Sequence, residues 1–166
     1  MKRPRSPLCS AIAFFLLVGL CVGSRLALAQ DRLAVSEEVH VGTYVSQVYD
    51  LSLKDNRFSA DFYVWFRWKG RQINPAESFE ITNGRTESKD LIYEGTVEGF
   101  RYAVFRVKAI FTKFWDISRF PLDDHVMTIE IEDAENEDHK LRYVADVENS
   151  ATSPEVRPPG WTLSKA

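Results

Sequence analysis

Cysteine is nearly missing from this chain. The 166 residues hold only Cys9 and Cys21, and both lie within the first 29, so the remainder can form no disulfide even in a compartment that permits one. Long apolar runs are missing as well. After residue 30 nothing approaches the ~20 consecutive apolar residues that a membrane-spanning helix needs. No segment shows an apolar stripe at 3.6-residue spacing, so little helix is expected, and there is no internal repeat. The three histidines, His40, His125 and His139, stand on separate segments without metal-ligand spacing. With no cysteine after residue 29 and no serine in a nucleophile-elbow context, neither catalysis nor a resident metal or cofactor is expected. Basic residues number 21 against 24 acids and form no stripe, which argues against a nucleic-acid partner.

The N-terminus is rich where the rest is poor. Lys2, Arg3 and Arg5 precede an apolar run from Ala11 to Val22, and Ala27-Leu28-Ala29 has the small-x-small form of a cleavage site. Residues 1–29 therefore read as a secretory signal peptide, and residues 30–166 as one exported domain. Leu20 stands before Cys21 where a lipid anchor would want a small residue. Removal of the signal takes Lys2, Arg3, Arg5 and Arg25 and no acid, leaving 17 basic against 24 acidic residues and a charge of −7. An acidic surface suits solubility or a cationic ligand. A single domain of this length buries roughly two thirds of its unfolded surface, so one core suffices without cross-links.

That domain reads as short strands between turn clusters. From Phe58 to Lys69 the alternation is clearest: Phe58, Ala60, Phe62, Val64, Phe66 and Trp68 fall on one side, with Ser59, Asp61, Tyr63, Trp65, Arg67 and Lys69 on the other. One face packs and the other is free to recognise something. Val39, Val41 and Val45 mark a first strand. Ala103 to Phe111, Met127 to Ile131 and Leu141 to Val147 alternate in the same way. Turns are expected at Lys54-Asp55-Asn56, Asn74-Pro75, Asn83-Gly84, Glu94-Gly95 and Asp133 to Lys140. The fold class is therefore all-β, of sandwich type. The acids Glu130, Glu132, Asp133, Glu135, Glu137 and Asp138 form either a solvated loop or a calcium site, although the Gly-punctuated spacing of a dedicated calcium loop is absent.

The stretch Phe111 to Asp133 combines Asp116, an aromatic-rich lead, Phe120-Pro121-Leu122-Asp123 and an alternating strand. It resembles the signature loop of the pentameric ligand-gated ion channels, whose pattern is Asp-x-x-x-Phe-Pro-Phe-Asp. Animal members flank that loop with two cysteines. Lys113 and Met127 stand there in this chain, as in the bacterial type, which lacks the disulfide. Phe62 to Trp68 followed by Gly70 is similar to the family's second strand. Ile92-Tyr93-Glu94-Gly95-Thr96-Val97 ahead of Arg101 is similar to a further step of the same domain. The family's Trp-x-Pro-Asp motif is absent, and Ala134 stands where many receptors have a ligand-facing Trp.

The resemblance implies an immunoglobulin-like ligand-binding sandwich that lacks its last strands in this sequence. It also implies a homopentamer, and a pore built by transmembrane helices that the sequence does not contain. Ligand would sit between subunits against Tyr63, Trp65 and Arg67, a cationic amine attracted by the aromatic faces or a carboxylate paired with Arg67. The alternative is that these aromatic residues only fill a subunit contact. Lys54, Asp55 and Asn56 would meet the signature loop at the membrane-facing end and couple ligand binding to gating. Within that loop Phe120 and Leu122 would serve as apolar contacts, Asp116 and Asp123 as hydrogen-bonding fixtures, and Pro121 as a cis peptide. The other reading of the loop is an ordinary strand connection. At the level of the whole protein the alternative is a stand-alone periplasmic binding or interaction protein that kept the sandwich without the channel.

Overall fold

The computed structural model describes residues 36–120, 122–137 and 140–164. The expected signal peptide, Pro121, Asp138 and His139 lie outside the described residues. The described fold is all-β: β1 (Glu37–Ser52), β2 (Arg57–Trp68), a single helical turn α1 (Pro75–Ser78), β3 (Phe79–Ile81), β4 (Gly84–Val97), β5 (Phe100–Thr112), β6 (Ile131–Asp133), β7 (Leu141–Ala145) and β8 (Ala151–Thr152). The larger sheet has the order β4-β5-β2-β1-β7, with β8 also pairing β1, and β3 pairs β6 in a separate ribbon. Antiparallel pairing joins β1, β2, β5 and β4, whereas β7 and β8 add to β1 in parallel. None of the described helices is long and apolar enough to cross a membrane.

The alternation in β2 sets the architecture. Phe58, Ala60, Phe62, Val64, Phe66 and Trp68 are all buried, and opposite them across the β2–β5 ladder stand Phe111, Ala109, Val107, Phe105, Ala103 and Arg101. One face of the sheet is thus apolar up to Arg101, whose guanidinium lies over the Trp68 ring, with burial of each Phe contributing about 1.5–3 kcal/mol. The β3–β6 ribbon closes this face. Phe79 packs against Phe66 at 4.7 Å and Phe105 at 5.1 Å between ring centroids, and Ile81, Leu141, Met127, Ile129 and Tyr143 complete the core. Lys89 borders it from β4, its ammonium 3.9 Å from the Phe79 ring centroid and bonded to the Phe79 carbonyl at 3.2 Å. Burial lowers the Lys89 pKa.

Three sequence expectations need correction. Glu94-Gly95 is no turn but lies inside β4, where Gly95 faces Tyr102 of β5. The reversal comes at Glu98-Gly99, whose φ angles of 51° and 81° suit the two-residue hairpin turn whose twist matches the flanking strands. The strand expected from Met127 is laddered only over Ile131–Asp133. Met127 and Ile129 still turn inward, but residues 123–130 carry no strand pairing of their own. In the last alternating segment β7 ends at Ala145, and Val147 lies beyond it, exposed.

Asp133 ties three elements and the loop after β6 together. Its carboxylate accepts from Ser78 Oγ of α1 (2.5 Å), the Tyr143 hydroxyl of β7 (3.3 Å), the Glu135 N–H (3.0 Å), and the backbone and side-chain N–H groups of Asn136 (2.7 and 2.9 Å). Burial pushes this carboxyl up, but the donations from Ser78, Asn136 and Glu135 outweigh it and hold the pKa below the usual range. Tyr143 is raised by burial and by the Asp133 charge, so it remains a protonated donor. A depressed folded-state pKa stabilises the native state above the unfolded value and ceases to do so as pH falls through the folded one. The urea midpoint should therefore hold steady above about pH 5 and drop below about pH 4, the unperturbed Asp value being about 3.9. Asp133→Asn should flatten that drop and cost about 1–3 kcal/mol at neutral pH. A pH-independent midpoint in the wild type would refute this role.

Candidate functional site

Opposite the core, the same alternation turns Tyr63, Trp65 and Arg67 to the second face of the large sheet. Register places Tyr44, Gly42 and His40 of β1 on one side of them and Arg106, Val104 and Tyr102 of β5 on the other. The three expected ligand residues are therefore brought together on one surface. Gly42 is what lets Trp65 lie down. A Cβ at position 42 would lie 2.2–2.6 Å from atoms of the indole ring, closer than contact allows, so only glycine lets the ring cover the β1 backbone.

The indole N–H donates to Asp146 Oδ2 at 3.1 Å, which fixes the ring in its own plane. Asp146 follows β7 and is itself held. Its N–H donates to the Val41 carbonyl (2.7 Å), Asn149 Nδ2 donates to Oδ1 (2.8 Å), and its carbonyl accepts from Ser150 Oγ (2.7 Å). Burial pushes the Asp146 carboxyl up, yet the donations from Trp65 and Asn149 and the Arg67 charge hold it low. Asp146 is ionised at neutral pH and already engaged.

Cations occupy much of the aromatic surface here. Arg67 and Lys69 both lie over the Phe100 ring, at 4.9 and 4.7 Å from its centroid. Arg106 sits 5.9 Å from the Tyr63 centroid, and its guanidinium grips the buried Asp61 carboxylate with bonds of 2.9 and 2.7 Å. Hydrogen bonding and charge from Asp61 raise the Arg106 pKa further. Among the described residues Arg67 and Lys69 have no carboxylate within salt-bridge distance. The surface therefore presents two cations that have no carboxylate partner and lie over an aromatic ring, a combination suited to an anion with an apolar body.

The second group of expected residues lies at the far end of β2, which at about 3.3 Å per residue is roughly 30 Å from Arg67. The turn holding Lys54, Asp55 and Asn56 is braced by Ser52 Oγ on Asp55 Oδ2 (2.9 Å). It is bonded directly to the signature loop: the Lys113 N–H donates to the Asn56 carbonyl at 2.7 Å, and Trp115 Nε1 donates to the Ser52 carbonyl at 3.0 Å. Asp116 accepts the Ser118 N–H at 3.0 Å, and donations from Ser118 hold its pKa low. Asp123 pairs with His125 at 2.5 Å, and that imidazole packs against both Trp115 (5.1 Å) and Trp161 (5.7 Å), whose rings also meet each other at 5.4 Å. Phe120 and Leu122 project outward at 71% and 83% exposure.

Sequence reasoning put Lys69 on this face without naming it a site residue, and missed Gly42, Phe100, Arg106 and Asp146 as parts of the site. Lys69 and Arg106 were legible as outward positions of alternating strands. Asp146 was not, because nothing local shows that the residue after β7 meets β1. The close fit of Trp65 on Gly42 gives a direct test. Gly42→Ala should displace the indole, break its bond to Asp146 and cost about 1–3 kcal/mol, as overpacking does. In a Trp65→Ala background the same change should cost far less, a coupling measurable by urea denaturation of the four variants. Additive costs would show that the indole is not held against Gly42.

No protein-family model matches this sequence, and no curated protein matches it.

Proposed function

We propose that this chain is the ligand-sensing domain of an exported, bacterial-type pentameric ligand-gated channel homologue, with an immunoglobulin-like sandwich and a site between neighbouring subunits. The pore of such a channel would be supplied by membrane helices outside this sequence. One observation carries the reading: β2 bears Tyr63, Trp65 and Arg67 at one end and leads at the other into the turn that is hydrogen-bonded to the signature loop. Ligand chemistry and the loop expected to meet the membrane helices are thus the two ends of one strand. Ligand capture would shift a closed–open equilibrium only by its differential affinity for the two states.

Between the two ligand classes, the charge arrangement favours an anion. Two of the rings that an amine would seek already have cations over them in this protein: Phe100 has Arg67 and Lys69, and Tyr63 has Arg106. Asp146, the nearby carboxylate, spends its oxygens on Trp65 and Asn149. Arg67 and Lys69 are left to pair with a carboxylate at the periplasmic surface.

Calorimetric titration of the domain with glutamate, benzoate and choline tests this directly. A carboxylate should bind and choline should not. Arg67→Ala should weaken carboxylate binding by about tenfold or more, the worth of a charge-assisted hydrogen bond, and Trp65→Ala should weaken benzoate more than glutamate. Preference for choline, or affinities that ignore both substitutions, would sink the proposal.

A further inference from the structure

Asn83 stands where β3 gives way to β4, and each of its polar groups serves a different stretch of chain. Its backbone carbonyl accepts the Thr112 N–H at 3.0 Å, where β5 ends and the signature loop departs. Its side-chain Nδ2 donates to the Thr128 carbonyl at 2.8 Å, and its Oδ1 accepts the Glu130 N–H at 3.1 Å, where that loop returns. Beside it the Thr82 N–H donates to the Glu130 carbonyl at 3.1 Å. Between Thr112 and Ile131 no strand is present among the described residues, so the two ends of the loop meet at this asparagine.

The chemistry singles out an amide. The carbonyl of 128 and the N–H of 130, on either side of Ile129, point the same way in an extended chain and are what it offers to one residue of an adjoining strand, which answers with one donor and one acceptor. Asn carries that same pair on its side chain. Ala has neither group, and ionised Asp has acceptors only. This also accounts for the inward alternation of Met127 and Ile129 without a ladder of their own: the Asn83 side chain takes the place of a neighbouring strand.

We propose that Asn83 is the positioning residue of the signature loop, closing its two ends and setting its place at the end of the sheet through these three hydrogen bonds. The entropy cost of closing a loop rises only slowly with its length, so a small set of bonds suffices in a domain without disulfides. The proposal rests on the hydrogen bonds alone and is independent of any ligand.

Residue-resolved amide exchange on the whole chain is the test. In Asn83→Ala the Glu130 amide should lose its protection and residues 113–129 should exchange about tenfold or more faster, as expected for local opening after loss of such bonds. Amides of β2 and β5, such as those of Phe62 and Val107, should keep wild-type rates. Asn83→Asp keeps the acceptor, so Glu130 should stay protected while Thr128 and its neighbours loosen. Should Asn83→Ala fail to fold, the wild type still decides: a scalar coupling across the bond from Asn83 Nδ2 to the Thr128 carbonyl supports the proposal, and its absence overturns it. Wild-type exchange in the loop of Asn83→Ala, or equal loosening of β2 and β5, also overturns it.

Discussion

The central position of β2 is the constraint on which the rest depends. It is paired along nearly its whole length on both edges, by β1 and by β5, so its backbone groups are satisfied and neither edge is open. Its inward side chains are all buried, and a shift of register by one residue would turn every one of them to the other face. The same shift would bury Arg67 and Lys69. The apolar alternation that builds the core therefore also fixes what the opposite surface displays, and the candidate site is the back of the core strand.

A domain without disulfides must hold its loops by other means, and here acidic side chains do so. Glu37 accepts the N–H groups of Lys69 and Gly70 where β2 ends. Asp133 gathers α1, β6 and β7, Asp146 fastens the segment after β7 to β1 and to Trp65, and Asp61 grips Arg106. Each of these carboxylates accepts from backbone amides or fixed side chains, which is where charge-assisted bonds are strongest. The negative charge of the domain is thus partly structural. Asp133, in the acidic run that suggested a cation site, has its oxygens taken up by Ser78, Tyr143, Glu135 and Asn136.

What the sequence made legible follows from period. Alternation marked β1, β2, β5 and β7 and sorted the β2 side chains onto the right faces, because a half-buried strand imposes a period of two. The Glu94-Gly95 turn misled because one glycine is permissive anywhere. Only the consecutive positive φ angles at Glu98 and Gly99 show where the chain reverses. The segment from Met127 misled for the opposite reason: its inward residues have the right period, but the hydrogen bonds come from the Asn83 side chain. Contacts between distant segments, such as Trp65 with Asp146 or Trp115 with the Ser52 carbonyl, depend on register and loop path and leave no local mark.

The arrangement limits how a signal could travel from the face of Tyr63, Trp65 and Arg67 to the signature loop. β2 is laddered to β5 without a break and packed on one face, although its pairing with β1 shifts register between Val45 and Gln47 and between Tyr49 and Ser52, and close-packed interiors transmit displacement instead of absorbing it. In the proposed assembly, a ligand drawing Arg67 and Lys69 toward a neighbouring subunit would therefore tilt the strand with its sheet more than bend it. The far end of that tilt is the turn at Lys54 to Asn56, bonded to Lys113 and Trp115 at the start of the loop, while Asn83 pins the other side to β3 and β6. With its base held from two directions, the loop would move as one body, carrying the exposed Phe120 and Leu122 at the point of greatest displacement.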